Sequence, residues 1–163
     1  MTRTIVHRYL IALGSNQPHH RHGSPRKVLA AALKRLDRRG VHIEVASPII
    51  ETAPLGPSRR RYANGAALVR SKLDPQALLR RLQKTEAKFG RRRMGHKWRA
   101  RVLDLDIVLW SGGAFASDNL SIPHPLFRTR AFVLTPARAI AGTWRDPTSG
   151  HTIRQLHFRL SRA

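Results

Sequence analysis

Val102-Leu103-Asp104-Leu105-Asp106-Ile107-Val108-Leu109-Trp110 is the stretch on which the reading of this chain turns. It is an apolar, β-branched run closed by Ser111-Gly112-Gly113, the pattern of a buried strand ending in a turn. Side chains alternate across a strand, so Asp104 and Asp106 share one face. They are two of only nine acidic residues, set against 31 Lys+Arg. Two carboxylates side by side in an apolar strand repel each other and are costly to bury alone. A cation has to meet them. It is either a hard metal such as magnesium, held by carboxylates and substrate phosphates, or arginine, which this chain supplies in abundance.

Upstream of that strand lies a basic loop with Arg91, Arg92, Arg93, His96, Lys97, Trp98, Arg99 and Arg101. Alone it reads as a solvated basic loop. Beside paired carboxylates it gains a second meaning, because a polyphosphate fits between arginine forks and a metal-bearing acid pair. Phosphate loops of the G-x-x-x-x-G-K-[ST] and G-x-G-x-x-G types are absent, so arginines and metal would have to do that work. Downstream, His124 is fixed between Pro123 and Pro125, six residues before Arg130. The pair suits a phosphate, or equally a local backbone cap. His19, His20 and His22 crowd an early loop; a metal site is the alternative, but with no carboxylate or cysteine nearby solvated histidines are the default.

Further out, residues 6–13 predict a first strand. Ser24 and Pro25 predict a helix start, with Val28, Leu29, Ala32, Leu33 and Leu36 at helical spacing and Gly40 as the stop. Val41, Ile43 and Val45 alternate as a second strand, and residues 62–69 form a third. Asp74-Pro75 opens a second helix with Leu78, Leu79, Leu82 and Phe89, closed by Gly90; a last helix is expected within 129–141. The order βαββαβ predicts a compact α+β domain with a mainly antiparallel sheet.

The 163 residues fit one domain, 1–163, with a real core. No apolar run is long enough to span a membrane, and the N-terminus lacks the apolar stretch of a signal peptide. There are no cysteines, hence no disulfides and no thiolate zinc site. A cytoplasmic location follows as an expectation. The net charge of +22 calls for an anionic ligand, or reflects arginine on a solvated surface. A basic ferredoxin-like nucleic-acid-binding module is the rival reading. It lacks the aromatic strand pattern of an RNA reader, and its sheet would present acids to a phosphate backbone.

Taken in order, these blocks resemble the 6-hydroxymethyl-7,8-dihydropterin pyrophosphokinase family. The resemblance starts at Leu10-Ile11-Ala12-Leu13-Gly14-Ser15-Asn16. It runs through Glu51-Thr52-Ala53-Pro54-Leu55-Gly56, Tyr62-Ala63-Asn64, Glu86 and Gly90-Arg91-Arg92-Arg93 to Trp98. Arg101-Val102-Leu103-Asp104-Leu105-Asp106 is its most specific block, and Ile122-Pro123-His124-Pro125 and Arg130-Ala131-Phe132-Val133-Leu134 complete it. The sequence departs from the family pattern in a short, arginine-bearing loop before Tyr62 and in residues 135–139, neither of which removes a residue assigned to chemistry.

The resemblance implies a single three-layer αβα domain on a ferredoxin-like core. It implies diphosphate transfer from ATP to the hydroxymethyl group of a reduced pterin in folate biosynthesis, with AMP released. Two magnesium ions would sit on Asp104 and Asp106. Arg93 and Arg101 match catalytic, phosphate-contacting arginines. Glu86, Arg91, Trp98, Arg101, Ile107, His124 and Arg130 match ATP contacts. The pterin would stack between Tyr62 and Phe132, with its amide-like edge read by Asn64, Thr52 and the backbone near Leu55. The expected partners are these small molecules, bound by a monomer. Nucleic acid would be held only through non-specific charge.

Overall fold

The computed structural model describes residues 3–52, 61–90 and 102–163. Its first half alternates strand and helix as the sequence predicts: β1 (His7–Ser15), α1 (Pro25–Leu36), β2 (Val41–Ala46), β3 (Ile50–Thr52), β4 (Tyr62–Ser71), α2 (Pro75–Lys88) and β5 (Asp104–Trp110). Then come the hairpin β6 (Phe115–Ser117) and β7 (Leu120–Ile122), a 3-10 turn at Phe127–Thr129, α3 (Ala131–Ala141) and α4 (Ile153–Ser161).

The helix starts have a chemical cause. Ser24 Oγ accepts the Lys27 N–H at 3.4 Å and Asp74 Oδ1 accepts the Ala77 N–H at 2.8 Å, each satisfying an orphan donor just before an N-terminal proline. After α1 the chain reverses through Arg39 and Gly40, at φ 50° and 86°; the second of these conformations is one that glycine adopts at little cost.

The main sheet has the order β2-β4-β1-β5, with β3 also on β4, and every pairing is antiparallel. Alternation along β1 divides the core. Tyr9, Ile11 and Leu13 face the layer of α1 and α2, where Val28, Leu29, Leu36, Leu78 and Leu82 are buried. Leu10 and Ala12 face the layer of α3 and α4, with Val133, Leu134, Ile153 and Leu156. This is a three-layer αβα arrangement on a ferredoxin-like core.

Several details differ from the sequence expectation. β1 runs on through Gly14 and Ser15, which pair with β4. β2 shifts register between Ile43 and Val45, so strict alternation breaks and Val45 is left 40% exposed. A second shift opposite Leu10 and Ile11 lets both Val108 and Leu109 pack on the α3 side. The elements β3, β6, β7 and α4 are additional to the predicted set.

Candidate active site

The site is built on rows that cross the sheet. Asn64 pairs with Gly14, and Gly14 with Asp104; one pair further along, Ala66 meets Ala12, and Ala12 meets Asp106. Because pairing partners share a face, Asn64, Asp104 and Asp106 all project toward the α3 side. Adjacent strands lie about 4.8 Å apart, so Asn64 and Asp104 stand about 10 Å apart across a floor of small residues. Gly14 is part of that floor: a Cβ there would come within 3.3 Å of Asn64 Oδ1. Both aspartates are half-buried, whereas Leu105 and Ile107 turn into the opposite core.

Glu86, on α2, is 4% exposed, and its Oε2 accepts the N–H of Leu105 at 3.0 Å. That bond fixes the backbone between the two aspartates. Ile107, also assigned to ATP by resemblance, is 2% exposed, with its side chain in the α1/α2 core.

His124 approaches from the loop after β7. Its backbone N–H donates to Val108 O at 3.0 Å, tying it to β5. Its Nδ1 accepts the Leu126 N–H at 3.2 Å, so the neutral ring carries its proton on Nε2, which lies 4.0 Å from Asp106 Oδ2. Burial lowers the His124 pKa, Arg130 lowers it further, and Asp104 partly offsets both. At neutral pH the ring is therefore an uncharged N–H donor aimed at the acid pair. Arg130 is the N-cap residue of α3, with its guanidinium 5.6 Å from the Phe132 ring centroid.

What holds this segment in place is Asp146, fully buried behind the 3-10 turn. It accepts from Arg128 Nε at 2.6 Å and Nη2 at 2.8 Å, from the Thr148 N–H at 3.0 Å and from Ser149 Oγ at 2.6 Å. Burial alone would raise its pKa, but these donors overcome that and depress it to about 2. Sequence reasoning missed Asp146 entirely.

Tyr62 opens β4 and Phe132 lies in the first turn of α3, packed against the core on the α3 side. Thr52 pairs with Tyr62 at the end of β3. Leu55, Arg91, Arg93, Trp98 and Arg101 lie outside the described residues. A cleft of about 370 Å³ runs from Leu105, Asp106 and Ile107 past His124 to residues 117–121 of the β6–β7 hairpin. Larger clefts lie on α4 and at the far end of the sheet, away from both aspartates. Of the polar site residues, Asp106 and His124 line this smaller cleft; Asn64, Gly14 and Asp104 lie outside it. Its hairpin wall was also missed, because the two-residue turn Asp118-Asn119 lacks the glycine of the usual hairpin signals.

Among the described residues no cluster of three or more His, Asp or Glu could itself hold a metal ion. The early histidines do not make one: His19 Nδ1 is taken by the N–H groups of Arg21 and His22, and the His19 and His22 rings pack against Phe89. Two carboxylates on one face suit magnesium, which keeps waters and takes phosphate oxygens.

Residues 10–142 match the family model described as 7,8-dihydro-6-hydroxymethylpterin-pyrophosphokinase. A 2-amino-4-hydroxy-6-hydroxymethyldihydropteridine pyrophosphokinase of Synechocystis is 41% identical over 72% of this chain and 60% of its own length. The enzyme of that name from Haemophilus influenzae is 36% identical over 85% of this chain and 84% of its own length. Among solved structures, the wild-type HPPK-DHPS of Plasmodium falciparum shares the fold with a TM-score of 0.75 at 13% identity, covering 95% of this chain and 41% of that one. No comparison supports the nucleic-acid module. The chain belongs to the 7,8-dihydro-6-hydroxymethylpterin-pyrophosphokinase family and is an enzyme, a pterin diphosphokinase of folate biosynthesis.

Proposed function

We propose that this chain, as a single domain over 1–163 and a monomer, moves the diphosphate of ATP onto the hydroxymethyl oxygen of 6-hydroxymethyl-7,8-dihydropterin at the Asn64–Gly14–Asp104 row. The observation that carries this reading is the row itself. An amide able to donate and accept stands about 10 Å from an acid pair, across a floor kept low by Gly14. That span suits a flat bicyclic ring whose edge is read at one end and whose substituent reacts at the other.

In the reaction the hydroxymethyl oxygen attacks the β-phosphorus and its proton is released to water. The bond from that phosphorus to the α-phosphate oxygen breaks, and AMP leaves. Two magnesium ions on Asp104 and Asp106 would supply the charge that neutralises the phosphates. The chain's own groups do the rest. Glu86 fixes the backbone between the aspartates. The Nε2–H of His124 and the guanidinium of Arg130 donate to phosphate oxygens. Arg93 and Arg101 are assigned phosphate contacts by the family resemblance. Tyr62 and Phe132 stack the pterin, while Thr52 and the backbone at Leu55 complete its edge.

The test is direct: incubate the protein with ATP, magnesium and 6-hydroxymethyl-7,8-dihydropterin. AMP and the pterin diphosphate should appear in equal amounts. AMP formation without the pterin, or ADP in place of AMP, contradicts the assignment.

A further inference from the structure

All nine side-chain carboxylates lie among the described residues. Glu44 pairs with Arg8, Glu51 meets Arg26 and Arg61, and Asp146 holds Arg128. Asp37 receives the Ile43 N–H and stands 3.4 Å from His42. Asp74 caps α2, Glu86 takes the Leu105 N–H, and Asp104 and Asp106 belong to the candidate active site. Asp118 is exposed in the β6–β7 turn. None of these ion pairs reaches Arg35, Arg38, Arg39, Lys84 or Lys88.

Those five cations converge with Arg81. Arg81, Lys84 and Lys88 recur at helical spacing on α2, so they form one stripe. Arg81 donates to Arg38 O at 2.7 Å and to Arg39 O at 3.2 Å, pinning the end of α1 against that stripe. The mutual repulsion is felt. Lys88 is shifted down first by Arg35, then by slight desolvation and by Arg38, Arg39 and Lys84. Arg38 and Arg81 are shifted down by partial burial and by their arginine neighbours. The stripe leads into an open cleft of about 660 Å³ at the His7–Ser71 end of the sheet, where Arg38, Arg39, His42, Arg70 and Lys72 face a single acid, Asp37. This surface belongs to the α1/α2 layer, whereas Asp104 and Asp106 face the α3 side.

We propose that this cationic track is a docking site for a phosphodiester polyanion, the backbone of RNA or DNA, independent of the catalytic site. With every carboxylate placed elsewhere, the countercharge must come from outside the chain. A row of arginines and lysines along a helix, continuing into a cleft, matches a string of phosphates better than one small anion. No Phe, Tyr or Trp is among the described residues lining the cleft, so contacts are to the backbone and binding does not depend on sequence.

The test measures anisotropy of a fluorescein-labelled 20-nucleotide duplex against full-length protein across salt concentrations. The variant Arg35→Gln/Lys84→Gln/Lys88→Gln is compared with an equal charge loss on α4, Arg154→Gln/Arg159→Gln/Arg162→Gln. The track variant should bind at least about tenfold more weakly at 0.15 M salt, with its salt slope reduced by about 2.7, or 0.9 per lost phosphate contact. The α4 variant should change less than about threefold. Equal losses in the two variants mean diffuse charge and overturn the proposal. Poly-glutamate or inorganic polyphosphate of equal charge binding as tightly as the duplex overturns the phosphodiester assignment. A measurement needing no variant runs beside these: acylation of Lys72, Lys84 and Lys88 should slow on adding duplex, while that of exposed Lys27 should not. Uniform protection of all lysines also contradicts a track.

Discussion

Asp146 and the pair Asp104–Asp106 are acids of the same chemistry in opposite situations. Asp146 is fully buried, and four donors meet its two oxygens, two of them from one arginine. Asp104 and Asp106 are half-buried on one face of a strand, with a neutral histidine N–H 4.0 Å from one of them. The first is an acid whose protein partners are complete and whose charge is part of the fold. The second is a pair on one open face of a strand, the arrangement proposed above to meet metal and phosphate. The lesson is that burial and charge do not by themselves separate a structural acid from one proposed to work; where the acid sits and what shares its face do.

That contrast can be broken at the buried acid first, where the largest stability effect is expected. Arg128→Met leaves Asp146 buried without its cation and should cost about 3–5 kcal/mol in a denaturant titration at pH 7. The pH dependence sharpens it. The folded pKa of Asp146 is depressed to about 2, so the native protein holds the full benefit above about pH 4 and loses it as pH falls through about 2. In Arg128→Met only Ser149 and Thr148 still oppose the burial that raises the pKa, so the folded pKa rises and the deficit should shrink as pH falls from about 7 toward about 2. A deficit constant over that range means the arginine acts by packing alone.

A smaller effect separates the two ends of the catalytic row. Tyr62→Ala and Phe132→Ala should each weaken pterin binding by roughly 1–3 kcal/mol, by analogy with base–aromatic stacking, with ATP affinity held. Calorimetric titration of each ligand reads this, and equal losses for both ligands argue against a pterin sandwich. The smallest effect belongs to a third kind of acid, exposed Asp74, which caps α2. Asp74→Ala should cost about 1 kcal/mol, measured by chemical unfolding. A loss near that at Asp146 would erase the distinction between a capping acid and a buried clamp.

Much of this was readable in the residues because the causes are local. Ser24-Pro25 and Asp74-Pro75 announce helix starts, Gly40 marks the reversal after α1, and the alternation around Asp104 and Asp106 puts both acids on one face. What was not readable depends on partners distant in sequence. Asp146 is an ordinary turn residue until folding brings Arg128 onto it. Gly14 reads as a strand end, yet it sits inside the sheet between Asn64 and Asp104. The register shift in β2 exposes Val45 against its own alternation, because pairing with β4 decides the register. The missed α4 had a local signal after all: Thr152 and Gln155 form a reciprocal capping box. The strand β3, three residues long, is too short for periodicity to speak.

The central claim is that Asp104 and Asp106 are working acids awaiting metal and phosphate. It is tested by measuring the metal-free melting temperature of Asp104→Asn and Asp106→Asn together with AMP formation at saturating magnesium. If the acids work as assigned, removing one charge relieves repulsion: melting stays the same or rises, while turnover falls by about a hundredfold or more as the phosphates lose their clamp. If they serve only to balance arginines, each variant loses about 3–5 kcal/mol and melts far earlier. A variant that melts early yet keeps near-normal turnover contradicts the account.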